Sequence, residues 1–155
     1  PWGFHQTRMT TMPDTKVTTP YAAFLLRVSM GVLFLAHGGL LKLGTFGIAG
    51  TMGFFGSLGY PPIFGAIVIF AEIGAGIALI TGVGVRVVSL LSLPIMIGAT
   101  LQHAGNGWLF SAPRGGWEFP AFWTVLLLVQ AGLGAGAYAL DVNRLLGRQA
   151  APANA

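Results

Sequence analysis

Glu72 is the one charged residue in IVIFAEIGAGIALITG, residues 67–82. A carboxyl group in such a run can exchange protons, pair with a cation or accept hydrogen bonds from a ligand. Two histidines, His37 and His103, add acid–base and metal-binding capacity. Arg27, Lys42, Asn106, Glu118 and Asp141 are further polar residues within or beside long apolar stretches. Two histidines and a distant glutamate have no zinc-ligand spacing, so no metal site is expected. His37 and His103 as an axial pair for haem would have to lie level, yet their depths differ by roughly 5 Å, which argues against haem. GAGIAL and GVGVRV do not complete a dinucleotide-binding glycine pattern after a strand.

The elements that must carry these residues follow from composition. Of 155 residues, 54% are hydrophobic and 8% charged, against about 25% charged in an ordinary soluble domain. So few charges point to a membrane protein in contact with the lipid bilayer. The 24 glycines fall inside the apolar runs as well as between them, which suits close helix packing in lipid. The net charge of +4 comes without a basic cluster interleaved with aromatics, so no nucleic-acid partner is expected. With no cysteine, the chain has no thiol to offer to redox or cluster chemistry.

Four apolar segments are long enough for a hydrocarbon core of roughly 30 Å. They are placed at Tyr21–Leu43, Pro62–Gly82, Val85–Gly105 and Glu118–Leu140, and must be helices, because lipid offers no partner for an open backbone. The expected fold is all-α, an integral membrane four-helix bundle. Between the first two spans, TFGIAGTMGFFGSLGYPP places Ile48, Met52 and Phe55 on one face. It reads as a short interfacial helix, with an apolar loop as the alternative. The membrane domain is drawn at 21–141, with a polar N-terminal tail at 1–20 and a C-terminal tail at 142–155. The first residue is not Met, so Met9, Met12 or processing is expected to define the true start.

Arg8, Lys16, Arg86, Arg144 and Arg148 fall on one side of this layout, and Lys42 and Arg114 on the other. The positive-inside rule makes the first side cytoplasmic, with both termini inside. A bacterial or archaeal plasma membrane is the expected location.

Gly65, Glu72 and Gly76 share a helical face, so Glu72 is expected to point inward, where a glycine face admits a neighbouring helix. A hydrogen-bonded group of Glu72, His37 and Arg27 is one expectation, and a neutral carboxyl the alternative. Ser89, Ser92, Met96 and His103 form a stripe on the third span, flanked by Thr100. Trp123, Gln130, Gly134 and Asp141 share a face of the fourth, and Arg27 or Arg86 is expected to pair with Asp141. The outer half then collects His37, Lys42, His103, Asn106, Trp117 and Glu118 into a polar pocket, with Glu72 as its floor. The plain reading makes Glu72 a packing anchor and Lys42, Arg114 and Glu118 ordinary interfacial residues.

The sequence resembles the DoxX family of small four-helix membrane proteins. The pieces that carry the resemblance are LLRVSMGVLFLAHGGLLKL, GFFGSLGYP, AEIGAGIALITGVGVRV, HAGNGW, GGWEFP and AYALD, spread from Leu25 to Asp141. By that resemblance Arg27, His37, Gly38, Lys42, Glu72, His103, Glu118 and Asp141 match the family's recurring polar positions. The resemblance implies a quinone-linked or thiol-related membrane redox system, often with a catalytic partner subunit; without cysteine, sulfur chemistry could not use a thiol of this chain.

Two functions follow. The outer pocket could bind a quinone headgroup, with Phe54, Phe55, Trp108 and Trp123 flanking the ring. Alternatively the chain is a non-catalytic accessory subunit docked in a larger membrane complex through partner proteins, with Gly132 and Gly136 as a small-xxx-small contact. A transporter or proton path ranks last, since no inverted repeat is visible.

Overall fold

The computed structural model describes residues 14–142. Their regular elements are all helical, with no strand. The order is α1 (Thr15–Leu35), a π-helical continuation (Ala36–Phe46), α2 (Gly47–Ser57), α3 (Ile63–Thr81), α4 (Val85–His103), a single 3-10 turn (Ala104–Asn106) and α5 (Glu118–Leu133). Arg8, Arg144 and Arg148, and most of both tails, lie outside the described residues. One 43-residue helical stretch, Thr15–Ser57, together with Ile63–Thr81 and Val85–Asn106, is long and apolar enough to cross a membrane.

The first helix begins at Thr15, six residues before Tyr21, because Asp14 caps it: its Oδ1 accepts from Lys16 N at 3.1 Å. The chain then passes into the π-helix without a break, and Gly47 ends it at φ 72°. The segment before Pro61 forms a helix rather than a loop, but its buried residue is Thr51, and Ile48 is exposed. Pro61 and Pro62 open α3, where a missing N–H costs nothing. Gly82 at φ 84° and Gly84 at φ 58° turn α3 tightly into α4.

The fourth segment departs most from expectation. Helix α5 stops at Leu133 after 16 residues, about 24 Å of rise. Gly134 and Gly136, at φ 81° and 68°, turn the chain into a non-helical strap. The strap runs back along α1 and α3: Ala137 N donates to Pro20 O, and Leu140 N to Thr81 O. Gly136 is therefore no part of a helix face for docking. A Cβ there would meet Ala23 Cβ at 2.7 Å, so the expected Gly132–Gly136 contact surface does not form.

The core lies where α1, α3, α4 and α5 meet. Met30, Phe34, Leu79, Met96, Trp123 and Leu127 fill it. Outside it, large apolar side chains such as Leu25, Ile67, Leu91 and Phe122 are exposed, as a lipid-facing surface requires. Helices α1 and α3 cross through glycines. A Cβ on Gly76 would sit 2.7 Å from Leu35 Cγ and 2.9 Å from Gly31 O, and one on Gly31 2.9 Å from Gly76 O. The same crossing continues at Gly38, where a Cβ would lie 2.7 Å from Glu72 Cβ.

Gly76→Ala is therefore expected to lower stability by about 1–3 kcal/mol through overpacking. A Cβ on Gly74 would meet nothing within 4 Å, so Gly74→Ala should be neutral or stabilising by up to about 1 kcal/mol. Unfolding of both variants in one detergent checks the contrast.

Candidate functional site

Among the described residues two charged groups are buried, at two levels of the molecule. Arg27 is 0% exposed and Glu72 2%. An ion in such surroundings must find all its partners within the protein.

Arg27 is satisfied by backbone. Its Nε donates to Ala135 O at 2.8 Å and its Nη2 to Ala137 O at 2.8 Å, both in the strap. Its Nη1 donates to Leu79 O at 2.8 Å and Ile80 O at 2.6 Å, in the last turn of α3. The cation thus caps the negative end of α3 and ties α1, α3 and the strap together. The Phe24 ring lies under it at 5.1 Å. Four carbonyls thus receive the buried guanidinium, and Asp141 lies beyond α5 and is exposed. Arg86 acts similarly on α5, donating to Ala131 O at 2.9 Å.

Glu72 is satisfied by Lys42. The ammonium Nζ donates to Oε1 at 2.9 Å and to Oε2 at 2.8 Å, a two-pronged ion pair between the π-helix and α3. The Lys42 side chain is 20% exposed, so the pair has one accessible edge. Thr51 of α2 donates its hydroxyl to Lys42 O at 3.1 Å and braces the π-helix from the other side. Gly38 leaves the space into which Glu72 fits. The expected Glu72–His37–Arg27 group is not formed. Arg27 is occupied by the carbonyls, and His37 Nδ1 lies 2.9 Å from Leu33 O.

His37 instead meets aromatic side chains of α5. Its ring lies 6.4 Å from Phe119 in a stacked arrangement and 5.4 Å from Trp123, edge to face. Of the aromatics expected around a ligand, Trp123 reaches this place. Trp108 packs on Trp117, and Phe54 on Phe55.

His103, Asn106 and Glu118 form a separate cluster that shapes the α4–α5 connection. His103 Nδ1 lies 3.0 Å from Gly115 O, and Asn106 Nδ2 donates to Gly115 O at 3.0 Å and Arg114 O at 3.2 Å. Glu118 Oε1 accepts from Phe110 N at 2.7 Å. The single outer pocket expected from sequence is thus resolved into two groups, one around Lys42–Glu72 and one in the loop. Two cavities of about 410 and 190 Å³ lie elsewhere. The first is lined by Thr15, Lys16, Thr19, Pro20, Ala23 and Leu133, the second by Ile97, Thr100, Leu101, Ala121 and Thr124. Among the described residues no cluster of three His, Cys, Asp or Glu could hold a metal ion.

The stripe on α4 faces inward, with Ser89, Ser92 and Met96 buried. Gln130 of α5 is buried too, its Nε2 donating to Gly134 O at 2.7 Å and Ala23 O at 3.2 Å. Thr51 and Phe119 do not stand out in the sequence. The one signal for Thr51 is a hydroxyl within a glycine- and phenylalanine-rich stretch, and Phe119 gives none.

Breaking a buried pair leaves an uncompensated charge, so Lys42→Met and Glu72→Leu should each cost about 3–5 kcal/mol. The double variant should cost less than their sum by more than about 1 kcal/mol, which a double-mutant cycle in detergent measures. Arg27→Lys keeps the charge but loses the planar fork, and should cost about 1–3 kcal/mol in the same assay.

The DoxX family model matches residues 22–105, more than half of the chain, from within α1 into the 3-10 turn after α4. The match contains Arg27, His37, Lys42, Glu72 and His103, and leaves α5 and the strap outside. No curated protein and no solved structure matches the chain. An all-helical architecture with three helices apolar enough to span a bilayer and a family match over that region lead to one conclusion: the chain belongs to the DoxX family.

Proposed function

We propose that this protein is the membrane subunit of a quinone-linked redox system, with the headgroup held at the accessible edge of the Lys42–Glu72 pair. The observation that carries this reading is the pair itself, an ammonium bound to both oxygens of a membrane-buried carboxylate with one side left open. An ionisable group inside a membrane is costly, and function is its default explanation. Lys42 Nζ has three hydrogens, and Glu72 takes two. The third can donate to an oxygen of a quinone headgroup. The His37 and Phe119 rings, inclined by 24° to each other, offer flat surfaces beside it. The donor set and aromatic lining fit such a group, which would bring two-electron, two-proton chemistry when bound. This chain's residues hold and orient the headgroup, and a partner protein supplies or removes the electrons.

In this reading α1, α3, α4 and α5 form a four-helix membrane bundle and α2 lies in the interface. Both termini face the cytoplasm of a bacterial or archaeal cell. Lys16 and Arg86 mark the inner end. Lys42, at the outer end, is neutralised by Glu72 and does not count against that orientation.

The accessory-subunit reading has one observation in its favour: Arg27 and Glu72 both find their partners inside this chain, as purely structural charges would. Isolation in native lipid, followed by extraction and quantification of bound quinone, separates the two. Wild-type protein is expected to carry quinone, and Lys42→Met about tenfold less. An empty site in both, with stable copurification of a larger complex, would favour the accessory role.

A further inference from the structure

Lys42 and His37 are five residues apart. In an α-helix five residues correspond to about 140° of rotation, nearly opposite faces. The π-helix that carries both, Ala36–Phe46, turns more slowly, and its i→i+5 bonding brings such a pair to within about 50°. The irregular backbone therefore sets an imidazole and an ammonium on one side of the segment. Gly38 lies against Glu72, which Lys42 grips, and the next residue back is His37.

The hydrogen-bond roles of the two groups differ. Leu33 O can only accept, so the His37 nitrogen 2.9 Å from it, Nδ1, carries the proton. In the neutral ring Nε2 is then a bare acceptor. The ring is only half-buried and is packed by Phe119 and Trp123. Lys42 Nζ, with its third hydrogen, is a donor. The site thus offers one donor and one acceptor to a ligand.

From this complementarity we propose that the site selects the reduced form of its aromatic headgroup, a quinol over the matching quinone, with His37 Nε2 accepting the phenolic hydrogen. The proposal rests on the quinone-linked reading above and goes beyond it by naming the bound state and the residue that distinguishes it. A quinone oxygen only accepts, so it satisfies Lys42 but turns a lone pair toward Nε2. A phenolic hydroxyl donates to Nε2 while a quinol oxygen accepts from Lys42. A group left without its partner in a desolvated site weakens binding by about tenfold or more.

The test uses the full chain in lipid nanodiscs, titrated with a short-chain benzoquinol under reducing conditions and with the matching benzoquinone, read by tryptophan fluorescence. The quinol is expected to bind about tenfold or more tightly. His37→Phe should bring the two affinities to within about twofold, and His37→Gln, which restores an acceptor oxygen, should recover part of the preference. The ¹⁵N spectrum of His37 provides a second readout: a bare Nε2 in the free protein that shifts on adding quinol and not on adding quinone. Equal affinities in the wild type, a preference that survives His37→Phe, or a proton on Nε2 in the free protein would overturn this inference and leave the quinone site standing. Binding of neither ligand to the wild type would overturn both.

Discussion

An ion buried in an apolar protein inside lipid has no water to fall back on. Arg27 and Glu72 meet that constraint in opposite ways. Arg27 is held by carbonyls that helix ends and a non-helical strap leave without partners, so cation and orphan acceptors satisfy one another. Glu72 is held by a countercharge from a neighbouring helix. The first arrangement consumes four of the guanidinium's five N–H groups. The second also leaves one N–H over, but on a side chain that is 20% exposed where Arg27 is fully buried, and that difference separates a structural charge from a candidate site.

The rest of the architecture follows from these two fixings. Glycines at positions 31, 38 and 76 let α1 and α3 approach until their backbones touch, which puts Lys42 within reach of Glu72. Thr51 holds the π-helix from α2, and Gly65 lets α2 lie against the start of α3: a Cβ there would meet Thr51 O at 2.8 Å. At the other level the strap is partly exposed, and Arg27 occupies its Ala135 and Ala137 carbonyls while its Ala137 and Leu140 N–H groups donate to Pro20 O and Thr81 O. Three buried polar atoms have no hydrogen-bond partner among the described residues: Ser89 Oγ, Trp123 Nε1 and Gln130 Oε1. All three lie on α4 and α5.

Helical periodicity is enough to show that Gly65, Glu72 and Gly76 share a face, and Glu72 is buried on that face. The serine stripe of α4 is legible in the same way. Glu72's partner is not, because choosing Lys42 over His37 depends on a π-helix, and apolar patterning alone does not distinguish a π-helix from an α-helix in a stretch such as HGGLLKLGTF. The end of α5 is hidden for a related reason. GAGAYAL is apolar enough to continue a span, but the positive φ angles of Gly134 and Gly136 and the pull of Arg27 on Ala135 O and Ala137 O decide otherwise. Residue type alone suggests a pocket for His103 and Asn106, whereas the backbone of residues 104–117 uses both to close a loop.

The central claim is that Lys42 and Glu72 are paired inside the membrane. Solid-state NMR on protein labelled with ¹⁵N at the Lys42 Nζ and ¹³C at the Glu72 carboxyl, in lipid, measures their dipolar coupling directly. The account requires strong coupling, consistent with an Nζ–Oε distance near 2.8 Å. No measurable coupling, with the Glu72 carbon instead in contact with acyl-chain protons, would contradict it.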